Sequence, residues 1–213
     1  MITLTLVVIL GALLVTVLMQ LSKKQDEPVS RPYAAKPEPQ DLANLKVADA
    51  RAGDVISISG AGDSMTDLDF TADRLTHIEA GARRWFELAG PYRERRVALR
   101  VSGDEEVETA LHSDARKITL EDLGLSEDDL AQMDERQNTA DSFEFDAKVW
   151  LYRLSREAHA WRDDGQKPVG YYYWEFQEEG GKGLLTVRKA EGEPFAVTLY
   201  AGIPPDNITV YRK

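Results

Sequence analysis

The chain has 213 residues, 43% of them hydrophobic and 30% charged, and no cysteine. This is a globular rather than a disordered composition. A net charge of −11 and a pI near 4.8 lack the basic footprint of a nucleic-acid binder, so nucleic acid is excluded as the expected partner.

Residues 1–21 carry no charged side chain and are mostly Leu, Val and Ile. About 20 apolar residues in a helix span a bilayer core, so the run predicts a single-pass transmembrane anchor. A cleaved secretory signal would need a basic start, a shorter apolar region and a small-residue cleavage site. No side chain before the run is basic, and Met19-Gln20-Leu21-Ser22-Lys23 is no such site. Without cysteine a lipoprotein signal is excluded. Lys23 and Lys24 follow the run directly, and flanking basic residues stay on the cytoplasmic side. The expected topology is therefore a single pass through the membrane with the soluble domain in the cytoplasm. The lack of cysteine suits that reducing compartment.

Residues 22–40 contain Pro28, Pro32, Pro37 and Pro39 and read as a proline-rich linker; proline blocks helix and ladder alike. The soluble domain then covers 41–213, opening on a short helix from Asp41 to Arg51. Strand patterns follow at Val55–Ser59, Leu68–Ile78, Arg84–Leu88, Val97–Val101 and Val107–Leu111, with a Gly-Asp hairpin signal at 103–104. Leu130 and Met133 have helical spacing, and Ser126 with Asp129 forms an acidic capping box, predicting a connecting helix over 126–137. Strands resume at Phe143–Leu154, Glu157–Arg162, Gly170–Glu178, Leu184–Lys189, Phe195–Tyr200 and Ile208–Tyr211.

The two strand-rich stretches are alike. Arg84-Trp85-Phe86-Glu87-Leu88 matches Tyr173-Trp174-Glu175-Phe176, Val97–Val101 matches Leu184–Arg188, and Ile118-Thr119-Leu120 matches Ile208-Thr209-Val210. Shared hairpin alternation would give part of this likeness. The ordered recurrence of a tryptophan, a hairpin and an Ile-Thr strand points further, to two half-repeats at 54–120 and 141–211. The expected fold class is mainly β (α+β), with two similar antiparallel β half-units packed as a sandwich or barrel-like roll, which removes exposed edges.

Tyr173-Trp174-Glu175-Phe176, Gly181, Leu184-Leu185-Thr186-Val187, Gly192-Glu193 and Ile203-Pro204-Pro205-Asp206-Asn207-Ile208 resemble the bacterial family called domain of unknown function 4178. Gly53-Asp54-Val55-Ile56 and Trp85-Phe86-Glu87-Leu88 resemble its N-terminal part. The resemblance covers about residues 48–212 and rests on strand and turn signatures. It brings no catalytic residues. It implies a membrane-associated accessory role, since genes of that family stand beside phage-shock-type coiled-coil proteins and polyamine-synthesis enzymes.

Gly62-Asp63-Ser64 after a strand looks like the nucleophile block of Gly-Asp-Ser hydrolases, which makes Ser64 the candidate for an alternative, hydrolytic reading. Such chemistry needs a histidine base and an orienting aspartate. The chain has only His77, His112 and His159, with no Asp-x-x-His near its end. Isolated histidines without cysteine do not make a metal site, and no phosphate-binding loop occurs; no cofactor or metal is expected. The stretch Glu121–Glu144 holds nine carboxylates against Arg136 alone. It is either a solvated helix face or a docking surface, and the arginines Arg83, Arg84, Arg93, Arg95, Arg96 and Arg100 offer an intramolecular counterpart. Alternation places Tyr171 and Tyr173 on one sheet face and Tyr172 and Trp174 on the other. Tyr172, Trp174, Asp128 and Asp129 are the candidate partner-binding residues; second-layer packing or edge cover is the other reading of the aromatics, with Trp174 then a core residue. The expected function is a non-enzymatic, membrane-anchored binding or adaptor module. A filled β core would favour it; a cleft with convergent polar groups and shifted acidities would favour an enzyme.

Overall fold

The computed structural model describes residues 45–103, 106–163, 165 and 167–212. The predicted anchor at 1–21 and the linker at 22–40 lie outside the described residues, as does Asp41. Where a helix was expected up to Arg51, the described part is a loop with one short 3-10 turn, Val47–Asp49.

The rest is mainly β. In chain order the strands are β1 (Val55–Ile58), β2 (Leu68–Thr71), β3 (Arg74–Ala80), β4 (Arg83–Tyr92), β5 (Arg95–Ser102), β6 (Glu108–His112), β7 (Ser142–Phe145), β8 (Lys148–Arg162), β9 (Val169–Glu178), β10 (Leu184–Lys189), β11 (Ala196–Ile203) and β12 (Ile208–Tyr211). One helix, α1 (Glu127–Arg136), lies between β6 and β7. Two predicted strands prove to be composite. Leu68–Ile78 breaks after Thr71 into β2 and β3, which pair in different sheets. Phe143–Leu154 turns at Asp146-Ala147, both with positive φ, into the β7–β8 hairpin. Conversely, the expected gap at Ser155-Arg156 is absorbed into β8 by a bulge between Tyr152 and Leu154.

Eight strands close an antiparallel barrel in the order β3-β4-β5-β6-β11-β10-β9-β8, with β8 pairing back to β3 and β7 extending β8 outward. The barrel is two four-stranded meanders, β3–β6 and β8–β11, whose first strands pair with each other and whose last strands do likewise. Closure removes the free edges.

Two apolar layers cover the barrel exterior. The sheet β12-β1-β2 lies against one side of the barrel exterior: Ile56, Ile58, Leu68, Phe70, Ile208 and Val210 pack with Leu88, Val97, Leu99, Val101 and Leu111. On the other side, α1 and its flanking loop bring Ile118, Leu123, Leu130 and Met133 onto Trp150, Tyr152, Trp174, Phe176, Leu185 and Val187. The lumen holds a third cluster, including Ile78, Trp85, Ala158, Ala160 and Tyr173. Trp85 thus faces inward and Trp174 outward. Matching these two tryptophans sets opposite faces together, because a one-residue slip flips every side chain. Matched by face, Trp85 corresponds to Tyr173 and Glu87 to Glu175.

The outer sheet approaches the barrel closely where β2 crosses β4. A Cβ on Gly90 would stand 2.2 Å from the Thr71 carbonyl oxygen, so this position takes no side chain without backbone movement. Gly90→Ala is expected to destabilise the domain by ~1–3 kcal/mol, the usual cost of overpacking, read as a lower urea midpoint. An unchanged midpoint would show that β2 and β4 separate without cost.

Candidate functional site

Inward residues of a closed barrel meet across the lumen, and here many are polar. Arg100 on β5 donates to the Tyr173 hydroxyl at 2.7 Å and to Glu175 Oε2 at 2.9 Å, both on β9. Tyr173 donates in turn to Glu175 Oε2 at 2.7 Å. Arg83, at the start of β4, reaches the other carboxylate oxygen at 2.6 Å. Tyr200 on β11 donates to Glu87 on β4 at 2.9 Å. The Arg100 guanidinium lies 4.3 Å from the centre of the Trp85 ring, which meets Tyr173 at 5.3 Å. Arg188 on β10 stands over Tyr171.

Burial alone would raise the Glu175 carboxyl. The Arg100 charge, the Tyr173 hydroxyl and the Arg83 charge outweigh it and hold Glu175 below the usual carboxylate range. Burial would likewise lower Arg100, but Tyr173 and Glu175 hold it above the ordinary arginine value. Burial pushes the Tyr173 and Tyr200 hydroxyls well up and Tyr171 up to about 12. Each shift reinforces the charge state already present near neutral pH. General acid–base catalysis needs a group poised near the working pH, and none of these shifts moves a group that way.

One end of the barrel is open as a cavity of about 730 Å³. Arg100, Glu175 and Trp85 lie at its base, with Arg83 beside them; Arg84, Lys182, Glu106 and Glu108 stand around the rim, and Leu184, Ile203 and Pro204 supply apolar wall. The size is that of a small-molecule site. Trp85 is 5% exposed, and its indole Nε1 has no hydrogen-bond partner among the described residues.

Of the candidate partner-binding residues, Tyr172 and Trp174 meet each other beneath α1, the helix that carries Asp128 and Asp129. Trp174 is buried and donates from Nε1 to the Leu130 carbonyl of α1 at 3.1 Å. The Tyr172 hydroxyl donates to Asp134 Oδ1 at 2.8 Å, and the two rings lie 4.7 Å apart beneath the helix. The expected outward aromatic set therefore faces a covering helix rather than solvent. Asp129 accepts from the Ser126 hydroxyl at 2.6 Å and from the Ser126 backbone N–H at 2.8 Å in the capping box, and these bonds hold its carboxyl below the usual range. Of the four, Asp128 is the exposed one.

The arginines do not pair with the acidic helix. Arg93 and Arg95 bind Asp63, Arg96 binds Asp73, and Arg83 and Arg100 share Glu175. Arg100, read as part of a basic surface, is a lumen residue. Ser64 sits in an exposed 3-10 turn with φ 59°, and none of the described residues hydrogen-bonds it. Asp63 beside it is held by the two arginines. Among the described residues no group of three or more His, Asp or Glu is placed to hold a metal ion.

A scan against protein-family models, a search of curated proteins and a search of solved structures each find no match to this chain.

The lumen pair has a pH signature. Glu175 titrates below its ordinary 4.5, so its contribution is fully present above pH 4.5 and is lost as pH falls through the folded value. Glu175→Gln leaves Arg100 buried without its counter-charge and is expected to cost ~3–5 kcal/mol at neutral pH. As pH falls below 4.5 the wild-type urea midpoint should fall more steeply than that of the variant. Parallel pH dependence would show that Glu175 is not a stabilising titrating group.

Proposed function

We propose that this chain is a non-enzymatic, membrane-anchored binding module of a bacterial envelope- or membrane-stress-associated system, and that the open barrel end is its ligand site. The observation that carries the proposal is the cavity over Arg83, Glu175 and Arg100. It has the convergent polar groups of a functional cleft, yet every shifted group there is fixed in its charge state. Such a floor recognises a ligand and does not exchange protons with it. A filled lumen was the arrangement expected for an adaptor, and an open cleft with shifted acidities the one expected for an enzyme; because the shifts of Arg100 and Glu175 run away from neutral pH, they support a small-ligand receptor over an enzyme.

The finer fold reading belongs to the same proposal. The paired meanders, first strand to first and last to last, support an internal duplication. The residues matched by face keep its chemistry: Glu87 with Glu175, and Arg100 with Arg188. The resemblance to domain of unknown function 4178, drawn from the strand motifs, supports the envelope setting and a phage-shock-type coiled-coil partner. The apolar run at 1–21 followed by Lys23 and Lys24 supports an inner-membrane anchor with the domain in the cytoplasm. A protein partner would meet the exposed acidic face of α1 at Asp128, where like charge can steer a basic surface.

Two experiments test this reading. In the first, the intact chain with a C-terminal tag is expressed in bacteria. Protease added to spheroplasts should spare the tag, and Asp128→Lys should reduce co-purification of partners from membranes at least severalfold while leaving the thermal melt unchanged. Digestion of the tag would overturn the orientation, and unchanged recovery would remove α1 as the docking face. In the second, a fluorophosphonate probe is applied to wild type and Ser64→Ala. No label is expected on either protein; label on wild type that the substitution abolishes would reinstate the hydrolase alternative.

A further inference from the structure

We infer that the lumen holds a second ligand site, at the barrel end opposite the cavity, which takes a small apolar α-amino acid as its zwitterion, with the ligand carboxylate on Arg188 and its ammonium on Glu87. This goes beyond the cavity over Arg83 and does not depend on it.

The two meanders turn the same chemistry inward and use it differently. Arg100 closes on Glu175 at 2.9 Å across the lumen. Their counterparts matched by face, Arg188 on β10 and Glu87 on β4, feel each other's charge without closing to an ion pair. Arg188 stands over the Tyr171 ring at 5.8 Å, and Glu87 accepts from Tyr200 through Oε1. Both charged residues are half-buried. Two charges drawn from water but held apart lack the compensation that Arg100 and Glu175 give each other. Neither the Arg188 nitrogens nor Glu87 Oε2 are among the atoms sealed from water without a partner. The guanidinium and the second carboxylate oxygen are therefore within reach of a molecule that enters.

The opening is not the cavity already described, whose lining lacks Glu87, Tyr171 and Arg188. It lies at the other end, where the inward positions are small. Ala89 pairs with Ala98 and Ala196 with Arg188. Ala89 and Ala98 are half-buried and Ala196 is exposed, whereas Ala158, deeper in the lumen, is fully buried. Val169, inward at the start of β9, is 51% exposed.

Glu87 would repel a simple anion bound to Arg188, and Arg188 a simple cation bound to Glu87. A molecule that carries both charges a few bonds apart satisfies both walls at once, its carboxylate on the guanidinium fork. An α-amino acid is the smallest molecule of that class, and the alanines and Val169 offer apolar surface to a short aliphatic side chain. Arg74 and Arg162 stand at the exposed ends of β3 and β8, where water and salt screen them.

The test is calorimetric titration of the full-length chain, purified in detergent, with L-valine at constant ionic strength. Saturable binding is expected. N-acetyl-L-valine, which keeps the carboxylate alone, and L-valinamide, which keeps the ammonium alone, should each bind at least tenfold more weakly. Arg188→Gln and Glu87→Gln should each weaken L-valine at least tenfold. Ala196→Leu, an exposed change opposite Arg188 in the β10–β11 register, should do the same by filling the mouth while leaving both charges and the thermal melt in place. Should a charge variant fail to fold, the analogue series on the unmodified chain and Ala196→Leu still decide. Absence of saturable L-valine binding would overturn the inference, as would equal binding of either single-charge analogue. Unchanged L-valine affinity in Ala196→Leu would place the binding outside this mouth and overturn it too. Each of these results leaves the reading of the cavity over Arg83 where it stands.

Discussion

The bond from Arg100 to Glu175 crosses the barrel, and the shape of the lumen depends on it. Neither strand is a neighbour of the other, so the pair ties β5 to β9 through the interior. Burying two charges is favourable only when each finds nearly all its partners inside. Here the partners are Tyr173, Arg83 and the face of Trp85, all drawn from inward positions on β4 and β9. A lumen filled with leucine and valine would have been easier to stabilise. The retained charges lie at the base of the open end of the barrel.

The same alternation that sends these groups inward sends apolar ones outward. Val97, Leu99 and Val101 leave β5 on the face opposite Arg100, and Leu185 and Val187 leave β10 opposite Arg188. Such strands need cover on the outside. The chain supplies it twice, with the sheet β12-β1-β2 on one flank and α1 on the other. The helix is fixed by the capping box at Ser126 and by Trp174 and Tyr172, whose polar ends reach α1 while their rings pack beneath it.

Much of this architecture was legible from alternation alone. β1, β5, β9, β10 and β12, and the helix with its cap, stand within a residue or two of their expected places. The likeness of the two strand-rich stretches pointed to two half-units; the structure shows two four-stranded meanders, but Ile118-Thr119-Leu120, matched to β12, is not a strand. What alternation could not show is which face is the inside. In Val97-Ala98-Leu99-Arg100-Val101 a charged residue between apolar ones reads as a solvent face, and only closure of the sheet turns that face into a lumen. Hence Arg100 was assigned to a basic surface, and Glu87, Glu175, Arg188 and Tyr200 went unmarked as a group. A signal was present: both members of each pair, Glu87 with Glu175 and Arg100 with Arg188, recur at one spacing on matching strands. The aromatic set Tyr171–Trp174 was correctly split between faces, and of its two readings, second-layer packing or an interaction patch, the structure shows packing beneath α1.

The pairing of β1 with β12 has a mechanical side. Val55 lies opposite Tyr211, so both chain ends of the described domain leave from the same end of one ladder. At that end Arg212 holds Asp54 through two hydrogen bonds of 3.0 and 2.8 Å. Opposed tension on residues 54 and 212 would load this clasp first and then part the ladder one rung at a time, like a zipper, instead of shearing all rungs together. Tension carried along the backbone would thus be spent on the outer sheet before it reached the barrel. The flank over Leu88, Val97 and Leu99 would then open while the ring of eight strands stayed closed.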